Sequence, residues 1–252
     1  MGKHRVRGIL LAASIGLIGF AGTRALVRIS RVWAQTGLTP FTLEAELHDQ
    51  TGMLFAKELV ARRADGTRVV RRSAGPMDKP IWARKLSYPD GREVDIHEAI
   101  GTKTTFPATS QTKARAAEAL QSSGRCVAPG GQLVRTDVVL GQNAAVVELQ
   151  NGDSRSTEWR AQDLACEELG YTYEQKGQDG AWRTVTQRKS VSLTLGEPDP
   201  KLFEIPATAV EAKPSDVSAR YRALLGMAGS PQDKAQDERR DRRYAAQQAP
   251  GQ

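Results

Sequence analysis

The stretch FTLEAELH, Phe41 to His48, alternates strictly: Phe41, Leu43, Ala45 and Leu47 face one way, and Thr42, Glu44, Glu46 and His48 the other. A helix would scatter these residues around its circumference, whereas an extended chain gathers the apolar ones on one side, so period two commits the segment to a half-buried strand. The pattern returns near the far end, where Val191, Leu193 and Leu195 oppose Ser190, Ser192 and Thr194. Between the two lie turn signals at DQTG (49–52), ADG (64–66), PDG (89–91), NGD (151–153) and QDG (178–180). Each puts Gly or Asn where a hairpin needs positive φ. They bound predicted strands over 41–48, 53–63, 67–73, 81–87, 92–97, 133–140, 143–150, 155–161, 168–176 and 181–195. No crossover helices separate these runs, which excludes a parallel α/β sheet and leaves a meander of antiparallel hairpins.

Helical signal is confined to two places. SQTKARAAEALQSS (110–123) is alanine-rich, opens on Ser110 as a cap, and divides the hairpins into two sets. SDVSARYRALLGM (215–227) carries Val217, Tyr221, Leu224 and Leu225 at helical spacing, with Ser215 as N-cap and Gly226 near its end. The remainder, 228–252, is polar and mixed in charge, the composition of a disordered tail or a frayed solvent helix. The predicted organisation is therefore a leader over 1–34, an antiparallel β domain over 35–212, a C-terminal helix over 213–227 and a disordered charged tail over 228–252.

The net charge of +7 belongs to the two ends. Residues 1–34 hold six basic residues and no acid, residues 213–252 hold eight basic and five acidic, and the body between them has 22 basic against 24 acidic residues. A nucleic-acid-binding domain carries its cations on a folded face, so that function is set aside. Lys3, Arg5 and Arg7 precede the apolar run Gly8–Gly22, the layout of an export signal. As a helix that run rises about 22 Å, short of a bilayer core of about 30 Å. Cleavage candidates are Gly19-Phe20-Ala21 and Val32-Trp33-Ala34. Arg24, Arg28 and Arg31 retard translocation and keep an uncleaved signal anchor open, with membrane association through residues 8–22.

Cys126 and Cys166 are the only cysteines, and in an exported chain such a pair most simply forms a disulfide. Two buried thiols are the alternative. Beyond the leader the only histidines are His48 and His97, and no Cys-x-x-Cys or His-x-x-x-His spacing exists, so no metal site is expected. In STEWRAQDLACEEL (156–169), Asp163, Glu167 and Glu168 are candidates for acid–base work. The alternative is a strand that kinks, cross-links through Cys166 and restarts at Leu169. Lys57, Arg62, Arg63, Arg68, Arg71 and Arg72 surround the ADG turn, either as a patch for an anionic partner or as solvated charge guarding a sheet edge. Trp33, Trp82, Trp159 and Trp182 invite a ligand-cage reading, with core packing the better reading for Trp159 and Trp182. The serine-hydrolase elbow, the phosphate loop and the dinucleotide fingerprint are absent, so no catalytic residue and no cofactor is assigned. A hydrolase reading would need His48 or His97 bonded to both a carboxylate and a serine.

The final strand runs into LTLGEPDPKLFEIP. This ending, with the export-like leader, the hairpins and the helical insert, resembles the LolA/LolB-like superfamily of periplasmic carriers and, more narrowly, uncharacterised bacterial exported proteins of that build, whose last strand ends in a similar Asp-Pro-x-Leu-Phe-x-x-Pro. Asp199, Pro200, Leu202, Phe203 and Pro206 match it, and the resemblance covers roughly residues 38–212. It implies a mainly β fold: a curved antiparallel sheet, or half-barrel, with one or two peripheral helices over an apolar cavity. It also implies a non-enzymatic envelope protein, periplasmic or extracellular or held at the inner membrane, that binds a lipid, lipoprotein or other apolar ligand on the concave face. The cationic hairpin, the cysteine pair, the charged tail and an aromatic content of only 6% depart from the carriers. A structural or interaction module, anchored by its N-terminus and without a small ligand, is the second expectation. Along 196–214, Pro198 and Pro200 stop the strand, Leu202, Phe203 and Ile205 offer anchors for the sheet's rim, and Pro206 and Pro214 keep the chain extended.

Overall fold

The computed structural model describes residues 38–74, 77, 79–121, 126–127 and 130–248; the leader, its cleavage candidates, Trp33 and the 8–22 run lie outside the described residues. Six strands form a first meander: β1 (Phe41–Asp49), β2 (Leu54–Arg62), β3 (Arg68–Ala74), β4 (Ile81–Ser87), β5 (Glu93–His97) and β6 (Thr102–Phe106). After helix α1 (Ser110–Gln121) a second follows: β7 (Gly131–Val139), β8 (Gln142–Asn151), β9 (Ser154–Ala161), β10 (Glu167–Lys176) and β11 (Trp182–Leu195). A short β12 (Val210–Glu211) and helices α2 (Pro214–Leu224) and α3 (Pro231–Gln248) complete the chain. Every predicted strand forms.

The sheet order is β12-β6-β5-β4-β3-β2-β1-β11-β10-β9-β8-β7, because β11 returns to pair with β1 and joins the two meanders at the centre. All pairs are antiparallel except β12 with β6, so the sheet is mixed at one edge. Neither β6 nor β12 was among the predicted strands. TKTTF (102–106) lacks apolar alternation and is held by its register on β5 instead. The α1 segment begins against the β4–β5 turn. A Cβ on Gly91, where φ is +86°, would lie 2.7 Å from the Lys113 backbone nitrogen, so this turn takes no side chain.

The sheet is strongly curled, and an ion pair shows which way. Arg68 on β3 meets Glu167 on β10 at 2.6 Å, although four strand spacings, about 19 Å if flat, separate them. Register places Arg68 opposite Arg62, and Arg62 opposite Phe41, so the face of Phe41, Leu43, Ala45 and Leu47 is the concave one. There Phe41, Leu43 and Val60 pack with Ala144, Ala161, Leu164 and Leu169 from the second meander.

Further along, the apolar character changes sides. On β2–β5 the buried row Ala61, Val69, Leu86 and Val94 lies on the convex face, with Ile96 beside it. The segment after β11 covers it. Asp199 accepts the Lys201 N–H at 2.9 Å and starts a single turn, Pro200–Phe203, and Leu202, Phe203 and Ile205 then pack on the convex cluster. These anchors dock across the sheet's outer face instead of its rim. The chain next adds β12 at the β6 edge and turns back so that α2 and α3 meet the concave face.

In α2 the N-cap is Lys213 with Pro214 at the first turn. Ser215, expected as the cap, instead donates from N and Oγ to Asp241 of α3, at 3.0 and 2.6 Å. Of the two expectations for the tail, a disordered segment or a solvent helix, residues 231–248 take the helix, for a local reason. Ser230 and Asp233 cap it reciprocally, and the buried Asp237 carboxylate accepts Arg222 Nη2 at 2.7 Å. Tyr244 lies edge-on to Phe106, with ring centroids 5.6 Å apart.

Cys126 and Cys166 are bonded to each other, linking the approach to β7 with the bend before β10. That bend is a single turn over Gln162–Leu164 followed by Ala165 and Cys166 at φ of 51° and 61°, the kink and restart expected of STEWRAQDLACEEL.

Candidate functional site

Strand β5 reads EVDIH, so Val94 and Ile96 go to the convex core while Glu93, Asp95 and His97 go to the concave face. Register carries one row across that face: Leu43, Val60, Val70, Lys85, Asp95 and Thr104. The row is apolar in the middle of the sheet and polar where α2 and α3 cover it. Between β4–β6 and the two helices lies a cavity of about 400 Å³. Asp95, His97, Thr104, Lys85 and Glu93 line its floor, and Phe106, Pro107, Val217 and Tyr244 form apolar walls, with Arg240 and Arg243 at the helix side.

The floor holds two polar atoms without partners, Asp95 Oδ1 and His97 Nδ1, and beside His97 the buried Thr102 Oγ1 and Tyr221 Oη likewise make no hydrogen bond. Thr102 is the cross-strand neighbour of His97, and the Tyr221 ring stands edge-on to the His97 ring at 5.5 Å. Burial pushes the Asp95 carboxyl up, with Lys85 opposing and Glu93 adding to it. Burial pushes the His97 imidazole down, which favours its neutral form. Orphaned buried groups of this kind cost free energy unless something satisfies them. The site therefore offers acceptors and donors on its floor and apolar contact at its sides.

The rest of the concave face is closed by its own side chains. Glu58 takes Arg188 on one side at 2.8 Å and Arg72 on the other, and Arg188 also donates to the Glu168 carbonyl at 2.7 Å. Arg62 donates to the Thr39 and Leu164 carbonyls. Burial raises the Glu167 carboxyl, but Arg68, with Arg62 and Arg188, outweighs it and holds the group below the usual carboxylate range. Burial, against Arg188 and with Glu158 and Glu167 adding to it, pushes Glu168 up to about 7.

The basic cluster is thus not one patch. Arg62, Arg68 and Arg72 point into the concavity and are bonded there, whereas Arg71 pairs with Glu98 at 3.0 Å and stacks on Trp82. Arg63 lies over Phe203, and Lys57 is exposed. Period two divides the strand residues among the six between two faces, and carboxylates take three of them, Glu167 for Arg68, Glu98 for Arg71 and Glu58 for Arg72. Of the paired acids, Asp163 is exposed at the bend, and Glu167 and Glu168 serve different arginines. His48 lies 3.6 Å from Glu46, and neither it nor His97 is bonded to both a carboxylate and a serine. Trp159 packs against the concave core, and Arg155 stacks on Trp182 at 4.8 Å. Among the described residues no cluster of three or more His, Cys, Asp or Glu is placed to hold a metal ion. Among them, too, no helix is long and apolar enough to cross a membrane.

Sequence reasoning missed Asp95, Lys85 and Thr104. The i, i+2 spacing of Asp95 and His97 on an alternating strand was the available signal, but Thr104 belongs to the strand that was not predicted.

The class that fold and site define is an open, curled, mostly antiparallel sheet with its helices over a polar pocket on the concave side. No protein-family model matches the chain, and no curated protein does. Among solved structures, 43 chains match. A chain of the MucA/MucB complex of Pseudomonas aeruginosa is 13% identical, with 73% of this chain and 62% of that chain covered at a TM-score of 0.43. PNGF-II is 8% identical over 72% of this chain and 32% of its own, at 0.42. A LolA superfamily protein from Nitrosomonas europaea is 12% identical over 66% of this chain and 90% of its own, at 0.30. The superfamily that the sequence resembles is thus represented among them. The chain spans about three-fifths of the first of these and about a third of the second.

Proposed function

We propose that the protein is an exported, non-enzymatic binding module of the cell envelope whose ligand is amphipathic and occupies the pocket under α2 and α3. The observation that carries this is the pairing of orphaned polar atoms on the pocket floor, Asp95 Oδ1 and His97 Nδ1, with the apolar walls of Phe106, Val217 and Tyr244. An apolar ligand laid along the centre of the concave face would meet Arg188, Glu58, Arg68 and Glu167, whereas the cavity on that same face lies at the β4–β6 end. The ligand's apolar part belongs at the Phe106 and Tyr244 end, with a hydrogen-bonding head on Asp95 and His97. Export is supported by the disulfide, which persists in oxidising compartments.

Native mass spectrometry of the mature protein purified from the envelope tests the reading. A small molecule retained by the wild type and lost from Asp95→Leu supports it. Unliganded protein that also fails to gain amphipathic additives would leave the interaction-module reading. N-terminal sequencing of the same sample tests export: a start after Ala21 or Ala34 is the expected result, and an intact Met1 would favour the anchor.

A further inference from the structure

The two edges of the sheet are finished differently. At the β6 edge both outward backbone groups of Thr105 are taken: its N–H by Glu211 at 2.7 Å and its carbonyl by Gln248 Nε2 at 2.9 Å. At the other edge β7 is the last strand, with no neighbour beyond it among the described residues. It is also the most exposed apolar strand, with Leu133 at 44%, Val134 at 51% and Val138 at 65% exposure. An open edge of this kind is a template for another strand.

Its sequence specifies which strand. Around Thr136 the order is Leu133-Val134-Arg135-Thr136-Asp137-Val138-Val139. A two-fold axis through Thr136 sets Arg135 opposite Asp137 of the second copy and Val134 opposite Val138, and the regular register ends there at the bulge between Leu133 and Arg135. Apolar residues meet apolar, and each charge meets its opposite, twice over. The backbone agrees. The two-residue turn Leu140–Gly141, at φ of 50° and 76°, makes Val139 and Gln142 a bonded pair, so Asp137 and Arg135 also bond to β8 while Thr136 and Val138 point outward. The Val138 N–H is indeed turned away from β8 and rests on its neighbour Asp137 Oδ1 at 2.8 Å. Arg135 makes no ion pair among the described residues.

We propose that β7 is a homodimerisation strand that pairs antiparallel with β7 of a second copy about Thr136, joining the two sheets edge to edge. Thr136 exchanges its N–H and carbonyl with its symmetry mate, and Arg135 and Asp137 form two reciprocal ion pairs on the side-chain rows beside it. The proposal rests on the edge alone and is independent of the pocket reading.

Light scattering coupled to size exclusion on the mature chain tests it. The wild type is expected to be a dimer that dissociates on dilution. Thr136→Pro removes an outward N–H without touching the β7–β8 ladder and should give monomers with an unchanged melting curve. Arg135→Asp and Asp137→Arg each oppose like charges at both contacts and should weaken the homodimer roughly tenfold or more. An equimolar mixture of those two variants should then form a heterodimer, since each Asp again faces an Arg. A monomeric wild type, a dimer that survives Thr136→Pro, or a mixture that forms no heterodimer overturns the proposal. If a foreign extended peptide binds β7 while the wild type stays monomeric, the edge serves another partner and the proposal also falls.

Discussion

Arg188 reaches Glu58 diagonally across the width of β1. Register places Glu58 opposite Ala45 and Arg188 opposite Leu47, with two strand spacings, about 9.6 Å, between β2 and β11. Both partners are buried, with side-chain exposures of 3% and 5%, and removing Arg188 leaves Glu58 with Arg72, whose side chain is 54% exposed. Arg188→Met is expected to cost about 1–3 kcal/mol, and adding Glu58→Leu to recover part of that loss. Denaturant unfolding of the two single variants and the double gives the coupling, and a double variant no better than the singles would show that the pairing is not what the site depends on. Glu168 behaves differently. Its carboxyl is raised from the ordinary 4.5 to about 7, so between those values the unfolded chain releases a proton that the native state keeps. Stability contributed by this residue is therefore present at acid pH and lost as pH rises toward 7. Glu168→Gln should gain stability relative to wild type between pH 5 and pH 8 in thermal melts; a difference independent of pH would refute the assignment. Glu167, held low by Arg68, has the opposite sign: its contribution is complete above about pH 4.5 and drains away in acid.

Among the elements, α3 shows how a polar sequence folds against a partner. Nothing in PQDKAQDERRDRRYAAQQ offers an apolar stripe wide enough to predict packing. The helix is capped by Ser230 and placed by polar contacts of Asp237 with Arg222, Asp241 with Ser215, Arg240 with Ser218, Tyr244 with Glu211 and Gln248 with the Thr105 carbonyl, and by a ring contact at Phe106. Asp237 is the central one, buried beside Arg222. Asp237→Ala should weaken the α2–α3 pair by about 1–3 kcal/mol, the usual cost of orphaning a charged hydrogen-bonding group. Hydrogen exchange is expected to accelerate in both helices and over the pocket while β1 and β11 stay protected. Uniform acceleration throughout the sheet would mean that the helices and sheet open as one unit.

At the scale of the molecule, two long-range devices hold an open sheet in shape: the C-terminal wrap, which covers the convex row and then the concave pocket, and the disulfide. The cross-link closes a loop of 40 residues and, in the chain-entropy model, stabilises by about 4 kcal/mol. Cys126→Ser with Cys166→Ser should lower stability by that order under oxidising conditions, and thiol titration of the unreduced wild type should find none free. Loss of stability equal in reduced wild type and double variant confirms that the bond and not the side chains carries it. Ten of the twelve strands, the hairpin turns, the cysteine pair and the bend at Ala165–Cys166 were legible in the sequence, because each follows from spacing over a few residues. Asp95 and His97 were half legible, sharing a strand face in EVDIH with nothing to say what covered them. Which face curves inward, which cations Glu167 and Glu58 neutralise, and that the apolar row of β2–β5 lies outward under Leu202 and Phe203 were decided only by the tertiary structure. Period two separates a strand's residues into two faces but assigns neither to the inside. That assignment comes from contacts between residues about a hundred positions apart, such as Arg68 with Glu167, at a separation of 99.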